Sequence, residues 1–118
     1  MNVYKHPDSI ELMDYELDRL NDFSVDQVFY YYMTGEYEGH GTMILTMSDG
    51  SLVLHDMSHC SCFGPMEDLG LDIAKMKYTT LSELVKDQKD YRMVNEEDYY
   101  GMNRVIVLFK TINGLNLN

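Results

Sequence analysis

Four side chains of the type that bind soft metal ions occur within one short stretch of the sequence: His55, His59, Cys60 and Cys62. Zinc takes four nitrogen or sulfur ligands in a tetrahedron, so the residue types suit it. The spacing suits it less, because structural zinc sites usually tie two separate stretches of chain together. Here one strand end and its loop would supply every ligand. A structural zinc-binding module on these residues is therefore an alternative interpretation, and the leading one has no cofactor.

The same loop offers the parts of a cysteine nucleophile. Either thiol could be activated by His40, His55 or His59, with Asp56 orienting the imidazole. A working dyad needs both groups to converge in a pocket that also holds donors for an oxyanion. Adjacent residues of one loop often point apart, and the glycines of the chain do not follow a phosphate-loop pattern. A Cys/His-dependent enzyme is the third interpretation, and we predict no catalytic residues.

Charge is the strongest global signal of the sequence. Nine Lys and Arg stand against 20 Asp and Glu, for a formal net charge of −11. A nucleic-acid ligand and an anionic membrane surface are disfavoured, because both require clustered basic side chains. Two interpretations remain: an acidic surface that only keeps the protein soluble, or a partner protein with a basic surface. Such a partner could be a nucleic-acid-binding protein whose site this chain occludes by mimicking nucleic acid.

The surface expected to contact that partner combines carboxylates with tyrosines, since tyrosine joins an apolar body to a polar tip. The chain has ten Tyr and ten Met, which favours a protein-binding role. A homodimer through an edge strand or through the tyrosine run at 30–32 is a further expectation. The predicted partner-binding residues are Glu11, Asp14, Asp18, Glu36, Tyr37, Glu38, Glu67, Asp68, Glu96, Glu97, Asp98, Tyr99 and Tyr100.

Length and hydropathy predict a single domain over residues 1–118, with no membrane span and no signal peptide at the N-terminus. Cys60 and Cys62 are too close in sequence for a relaxed disulfide, which favours two reduced cysteines. These features together predict a cytoplasmic protein.

The hydrophobic pattern predicts an α+β fold with a small, mainly antiparallel sheet. Its centre is a hairpin over 42–57, whose Asp49-Gly50 predicts a two-residue type I′ turn. Strands are expected near 28–33 and 104–110, although the first also fits a helix. A helix is expected near 9–21, starting from Asp8, with Ile10, Met13, Leu17 and Leu20 on one apolar stripe that faces the core. A second helix is expected near 81–90, after a capping box at Thr80–Glu83. The predicted hairpin pairs are Met47 with Leu52 and Leu45 with Leu54.

The stretch 49–65 also carries a motif, Asp-Gly followed by His-Asp-x-x-His-Cys-Ser-Cys-Phe-Gly-Pro. It resembles a motif of small uncharacterised acidic proteins from bacteriophages and mobile elements. The resemblance implies a setting rather than a fold or an activity. Small acidic phage-type proteins often bind and inhibit a host protein, including nucleases of antiviral defence, and would act in the host cytoplasm.

Overall fold

A computed structural model describes residues 1–60, 64–90, 98 and 100–115. In this part of the chain, six strands form one sheet: β1 Asn2–Lys5, β2 Val25–Thr34, β3 Glu38–Met47, β4 Leu52–Asp56, β5 His59–Cys60 and β6 Lys77–Tyr78. Their order is β1-β2-β3-β4-β6, and β5 pairs with β3. Among these pairs only β1 and β2 are parallel, so the predicted α+β fold with a mainly antiparallel sheet is confirmed.

Helices cover both faces of this sheet. On one face, Tyr30 and Leu45 pack under residues 12–20 and 66–73, and on the other Phe29 and Ile44 pack under residues 81–85 and 100–109. None of the helices described has both the length and the apolar character needed to cross a membrane. The helices are α1 Asp14–Asp18, continued by a 3-10 turn over Arg19–Asp22, then α2 Leu69–Lys75, α3 Leu81–Asp90 and α4 Met102–Ile112.

The tyrosine run lies in β2, as the strand prediction for 28–33 requires. Tyr30 and Tyr32 face one core, and Phe29 and Tyr31 face the other. All four side chains are buried, so the run cannot serve as the exposed dimer contact that its composition suggested. Aromatic side chains can occupy both faces of β2 because helices cover both faces of the sheet.

The hairpin is confirmed, but its predicted register is wrong by one residue. The turn has three residues, 48–50, and the N–H of Met47 bonds the carbonyl oxygen of Ser51 at 2.9 Å. Gly50 takes a φ of 87°, while Asp49 accepts a bond from the Ser51 N–H at 2.9 Å, the geometry of a type I turn with a bulge. The pairs are Thr46 with Leu52, Leu45 with Val53 and Ile44 with Leu54. Both faces of the hairpin are buried, so neither the predicted nor the observed register would expose apolar side chains to water. The geometry of the turn therefore decides which register forms.

The strand predicted near 104–110 is wrong, because this stretch forms α4. Its buried side chains, Met102, Val105, Ile106 and Phe109, are spaced as one side of a helix. Val107, between them, is half exposed, which a strand buried on both faces would not allow. The apolar run is continuous because Val107, an apolar residue, occupies the outward position within it.

The helix predicted near 9–21 is confirmed only in its last part. Asp8 does not start a helix, since its N–H bonds the ring of His6 at 3.1 Å. Ile10 instead extends the sheet edge through a 3.0 Å bond from its N–H to the Tyr32 carbonyl oxygen. Leu12 is buried and Met13 is exposed, the reverse of the predicted stripe. Pairing with β2 therefore overrides helix propensity in residues 9–13.

The helix over 81–90 is confirmed as α3, together with its cap. The N–H of Glu83 donates to Thr80 Oγ1 at 3.2 Å, and the Glu83 carboxylate accepts from the Thr79 N–H at 3.0 Å. Leu84 and Gln88 are buried against the sheet.

Candidate protein-binding surface

One face of the sheet carries more than half of the chain's excess negative charge. Residues 10–22 hold five carboxylates and one guanidinium, and residues 64–75 hold three carboxylates and one ammonium, a formal net charge of −6. Both stretches pack on the same side of the sheet, and we call them the acidic layer. The described side chains of the opposite layer, residues 81–88, 98 and 100–115, include three carboxylates and three basic groups, a formal net charge of 0.

The acidic layer brings together predicted partner-binding residues from two distant parts of the sequence. Arg19 Nη1 lies 3.9 Å from Glu67 Oε2 and links the two stretches. An ion pair this exposed adds little stability, so its main consequence is to mark where the stretches meet. The predicted residues that lie in this layer, all exposed, are Glu11, Asp14, Asp18, Glu67 and Asp68.

Large apolar side chains are exposed among these carboxylates. Met13 is 61 % and Tyr15 71 % exposed, and Leu71 on α2 is also exposed. Exposed methionine, tyrosine and leucine ringed by charged groups are typical of protein-binding surfaces, where apolar anchors carry most of the affinity. The sequence interpretation placed Met13 in the core and did not select Tyr15 or Leu71.

A buried phenol of β2 helps to hold the first stretch on the sheet: the N–H of Leu12 donates to Tyr30 Oη at 3.2 Å. Burial raises the pKa of Tyr30, and it raises the pKa of Tyr32 to about 12, with the Glu16 carboxylate raising both. Both phenols therefore remain neutral beside a strongly acidic stretch of chain.

A buried histidine holds the second stretch. His55 projects from β4 with its Nδ1 2.9 Å from Asp72 Oδ2 and its Nε2 2.7 Å from the carbonyl oxygen of Pro65. Both contacts are hydrogen bonds only when both ring nitrogens carry hydrogen, because both partners are acceptors. The Asp72 carboxylate also accepts from the Asp56 N–H at 3.0 Å. His55 thus fixes α2 and the segment before it against the sheet.

His59 is held at the end of the sheet by two contacts. Its Nε2 accepts from Tyr32 Oη, and its Nδ1 lies 2.7 Å from the carbonyl oxygen of Cys60. Gly39, opposite it on β3, leaves the space that this approach needs, since a Cβ there would collide with the His59 ring. A cavity of about 130 Å³ opens beside it, lined by Asp56, Ser58, His59, Gly64, Pro65, Glu67 and Asp68.

The structure gives both histidines of the proposed zinc set other partners. Zinc would require His55 to leave Asp72 or Pro65, and Cys62 lies outside the described residues. In the described ranges, no three His, Cys, Asp or Glu side chains converge as a metal site would require. Zinc binding stays a prediction that elemental analysis of protein purified without chelator tests.

The cysteine-nucleophile interpretation also stays a prediction. Cys60 is exposed, and the His59 ring contacts the backbone carbonyl oxygen of Cys60 rather than its thiol. The other proposed base, His40, has a pKa lowered by burial. A thiol that reacts faster than free cysteine would be the sign of a nucleophile here.

The remaining predicted partner-binding residues lie elsewhere. Glu36, Tyr37 and Glu38 form the exposed tip between β2 and β3, with Tyr37 75 % exposed. Asp98 is an internal acceptor: its carboxylate oxygens receive the N–H groups of Asn103 at 2.8 Å and Arg104 at 3.2 Å, at the start of α4. Tyr100 is half-buried against the sheet, and Glu96, Glu97 and Tyr99 lie outside the described residues.

No protein-family model, curated protein or solved structure matches this chain. The surface must therefore be interpreted from its own residues. The signal for its missed apolar members was present at Met13 and Tyr15, which lie between acidic residues in a stretch too short and too charged to bury them.

Proposed function

We propose that this chain is a non-catalytic protein that binds a partner protein with a basic surface and occludes it. The observation that supports this most is the separation of charge across the sheet, −6 in the acidic layer against 0 in the opposite layer. An acidic surface that served only solubility would have no need of such separation. The motif in 49–65 suggests a phage-type inhibitor acting in the host cytoplasm.

The composition of the acidic layer suits this role in two ways. Met13, Tyr15 and Leu71 offer apolar area that a partner can desolvate, which is where most binding free energy arises. The surrounding carboxylates steer a basic partner towards them and reject acidic ones. Binding of this kind occludes the partner's basic site, whether or not it imitates a nucleic acid.

The test compares capture by three baits from a lysate of the host. They are the wild type, Asp14→Lys in the acidic layer and Asp26→Lys on β2, both exposed and both changing the net charge equally. A partner that meets the proposal is captured by the wild type and Asp26→Lys, and lost with Asp14→Lys. With that partner purified, Asp14→Lys should weaken binding about tenfold or more, because a long-range attraction becomes a local repulsion.

Salt and a nucleic-acid competitor then separate the versions of the proposal. Affinity should fall steeply between 50 and 500 mM NaCl, since screening removes attraction between exposed charges. A partner bound equally well by Asp14→Lys, or independently of salt, would contradict docking through the acidic layer. Loss with Glu36→Lys alone would move the site to the β2–β3 tip. Duplex DNA or RNA that fails to compete would rule out mimicry while leaving occlusion intact.

A further inference from the structure

The cavity beside His59 opens at the edge of the acidic layer. Its lining joins the end of β4 and the start of β5 to four residues of the second acidic stretch. Its volume, about 130 Å³, is several times the roughly 30 Å³ that one water molecule occupies in the liquid. The cavity can therefore hold a group of several heavy atoms that belongs to a partner docked on the acidic layer.

The lining carries a negative charge. Asp56, Glu67 and Asp68 supply three carboxylates to it. In the described part of the chain, the basic side chain that pairs with one of them is Arg19, 3.9 Å from Glu67. With Arg19 counted and the His59 ring neutral, three negative charges and one positive charge leave −2. An anion is repelled from this cavity and a cation is attracted to it.

The three carboxylates retain capacity for further hydrogen bonds. Asp56 Oδ1 accepts from the Ser58 N–H at 2.8 Å, which uses only part of what a carboxylate can accept. The contact between Glu67 and Arg19 is longer than a hydrogen bond. Asp68 lies at the start of α2, and its carboxylate makes no cap bond to that helix. An occupant with several donors therefore finds acceptors here.

A buried hydroxyl of the lining also lacks a partner. Ser58 Oγ is shielded from solvent and has no hydrogen-bond partner among the described residues. Buried polar atoms are nearly always hydrogen-bonded, so an exception calls for a reason. Rotation about χ1 between staggered positions can turn this hydroxyl towards a group that fills the cavity. The orphaned oxygen is an observation independent of charge, and it points to a hydrogen-bond donor as the occupant.

The spread of these acceptors favours a guanidinium group over a smaller cation. Within the described ranges, no three His, Cys, Asp or Glu side chains converge as a metal ion requires. A metal ion or an ammonium group is a point charge, whereas guanidinium is planar and carries five N–H donors in a fork. It can therefore reach separated acceptors at the same time. An apolar side chain would remove water from the same acceptors and give them nothing in return.

We propose that this cavity is the pocket in which the acidic layer receives one arginine side chain of its partner protein. The guanidinium group donates to the carboxylates of Glu67 and Asp68 and to Ser58 Oγ. This inference rests on the proposed function and deepens it, because it names the residue of the partner that the layer recognises.

The test is titration of the isotope-labelled chain with three capped amino acids, followed through its amide NMR signals. N-acetyl-arginine-N-methylamide should shift the signals of Ser58, Glu67 and Asp68 to saturation, with a millimolar dissociation constant because one side chain offers few contacts. The lysine counterpart should bind at least threefold more weakly. The citrulline counterpart has the same shape without the charge, and it should give no saturable shift.

Matched variants separate a pocket from a diffuse negative field. Asp68→Asn removes one lining charge and should weaken binding of the arginine probe at least threefold. The variant should fold, because Asp68 is exposed and does not cap α2. Asp14→Asn removes the same charge from the first acidic stretch and should change the affinity less than twofold. Ser58→Ala removes only the hydroxyl, and it should also weaken the arginine probe.

Three results would overturn the inference: no saturable shift with the arginine probe, equal binding of the citrulline probe, or equal weakening by Asp68→Asn and Asp14→Asn. Saturation of the same signals by Mg²⁺ or Ca²⁺ below the concentrations that the arginine probe needs would overturn it too, by making the cavity a metal site. Failure of the proposed function is distinguishable. A partner lost with Asp14→Lys, together with a silent arginine probe, removes only the pocket. Arginine binding without any captured partner keeps the pocket and removes the proposed function.

Discussion

The two layers that cover the sheet differ in how much of their restraint comes from regular helix. In the opposite layer, α3 and α4 are ten and eleven residues long, and α4 alone buries four apolar side chains. In the acidic layer, α1 and α2 are only five and seven residues long, too short to be stable by themselves in water. The buried apolar side chains of this layer are Leu12, Leu20, Met66 and Leu69, of which only Leu69 belongs to an α-helix. Hydrogen bonds to buried side chains of the sheet, chiefly Tyr30 and His55, add to this packing.

This difference shows how a chain can hold a dense field of carboxylates in place on short helices. Like charges within the acidic layer repel, and packing of its buried apolar side chains on the sheet offsets that repulsion. Hydrogen bonds from Tyr30 and His55 add restraint and fix where the two acidic stretches lie. The opposite layer, with little net charge, has less repulsion to offset.

The largest expected effect of a single change follows from His55. His55→Ala leaves the Asp72 carboxylate and the Pro65 carbonyl oxygen without their partner, which should lower the free energy of unfolding by ~3 kcal/mol. On the side of the opposite layer, Tyr78→Phe on β6 removes a phenol that donates to Asp87 and accepts from Gln88 of α3, and it should cost only ~1 kcal/mol. Urea unfolding of both variants measures the two losses of unfolding free energy. Equal losses would mean that polar contacts matter no more in the acidic layer than across the sheet.

The same contrast explains what the sequence could and could not predict. Elements with a clear local signal were predicted well. Helix α3 has a capping box and a single apolar side, and β2 is rich in residues that favour strands. The prediction for 104–110 was wrong because Val107 puts an apolar residue at an outward position of α4, and the continuous run 105–109 hides the period that separates helix from strand. The spacing of Met102, Val105, Ile106 and Phe109 was the signal that could have corrected it.

The hairpin failed for a related reason. With both faces buried, the apolar pattern of β3 and β4 fits two registers equally well, and the bond from the Ser51 N–H to Asp49 selects the three-residue turn. The candidate surface was partly predictable, since exposed acidic residues can be identified by type. Their convergence from residues 10–22 and 64–75 depends on tertiary contacts such as His55 with Asp72, which no local pattern contains.

Alkaline pH should loosen the acidic layer through Tyr32. The pKa of its phenol is raised from 10.0 to about 12, mainly by burial, so the unfolded chain releases this proton first. The stabilisation from neutral Tyr32 is complete below pH 10 and is lost as pH rises towards 12, about 2 kcal/mol in all. Urea unfolding from pH 8 to 11 measures the slope. Tyr32→Phe should flatten it, and an unchanged slope in that variant would mean that other groups cause the loss.

The smallest effects should differ in sign between the layers. Asp18 lies in the last turn of α1, four residues after Asp14, where both the helix dipole and the neighbouring carboxylate oppose its charge. Asp18→Asn should therefore stabilise the fold by about 0.3–0.5 kcal/mol.

Lys110 lies in the last turn of α4, where a positive charge is favourable, so Lys110→Gln should destabilise the fold by a similar amount. Thermal unfolding at 20 mM NaCl should resolve the two signs, and 500 mM NaCl should remove both effects because the charges are exposed. Shifts of the same sign would show that the layers do not differ in local electrostatic strain, whatever their formal charges.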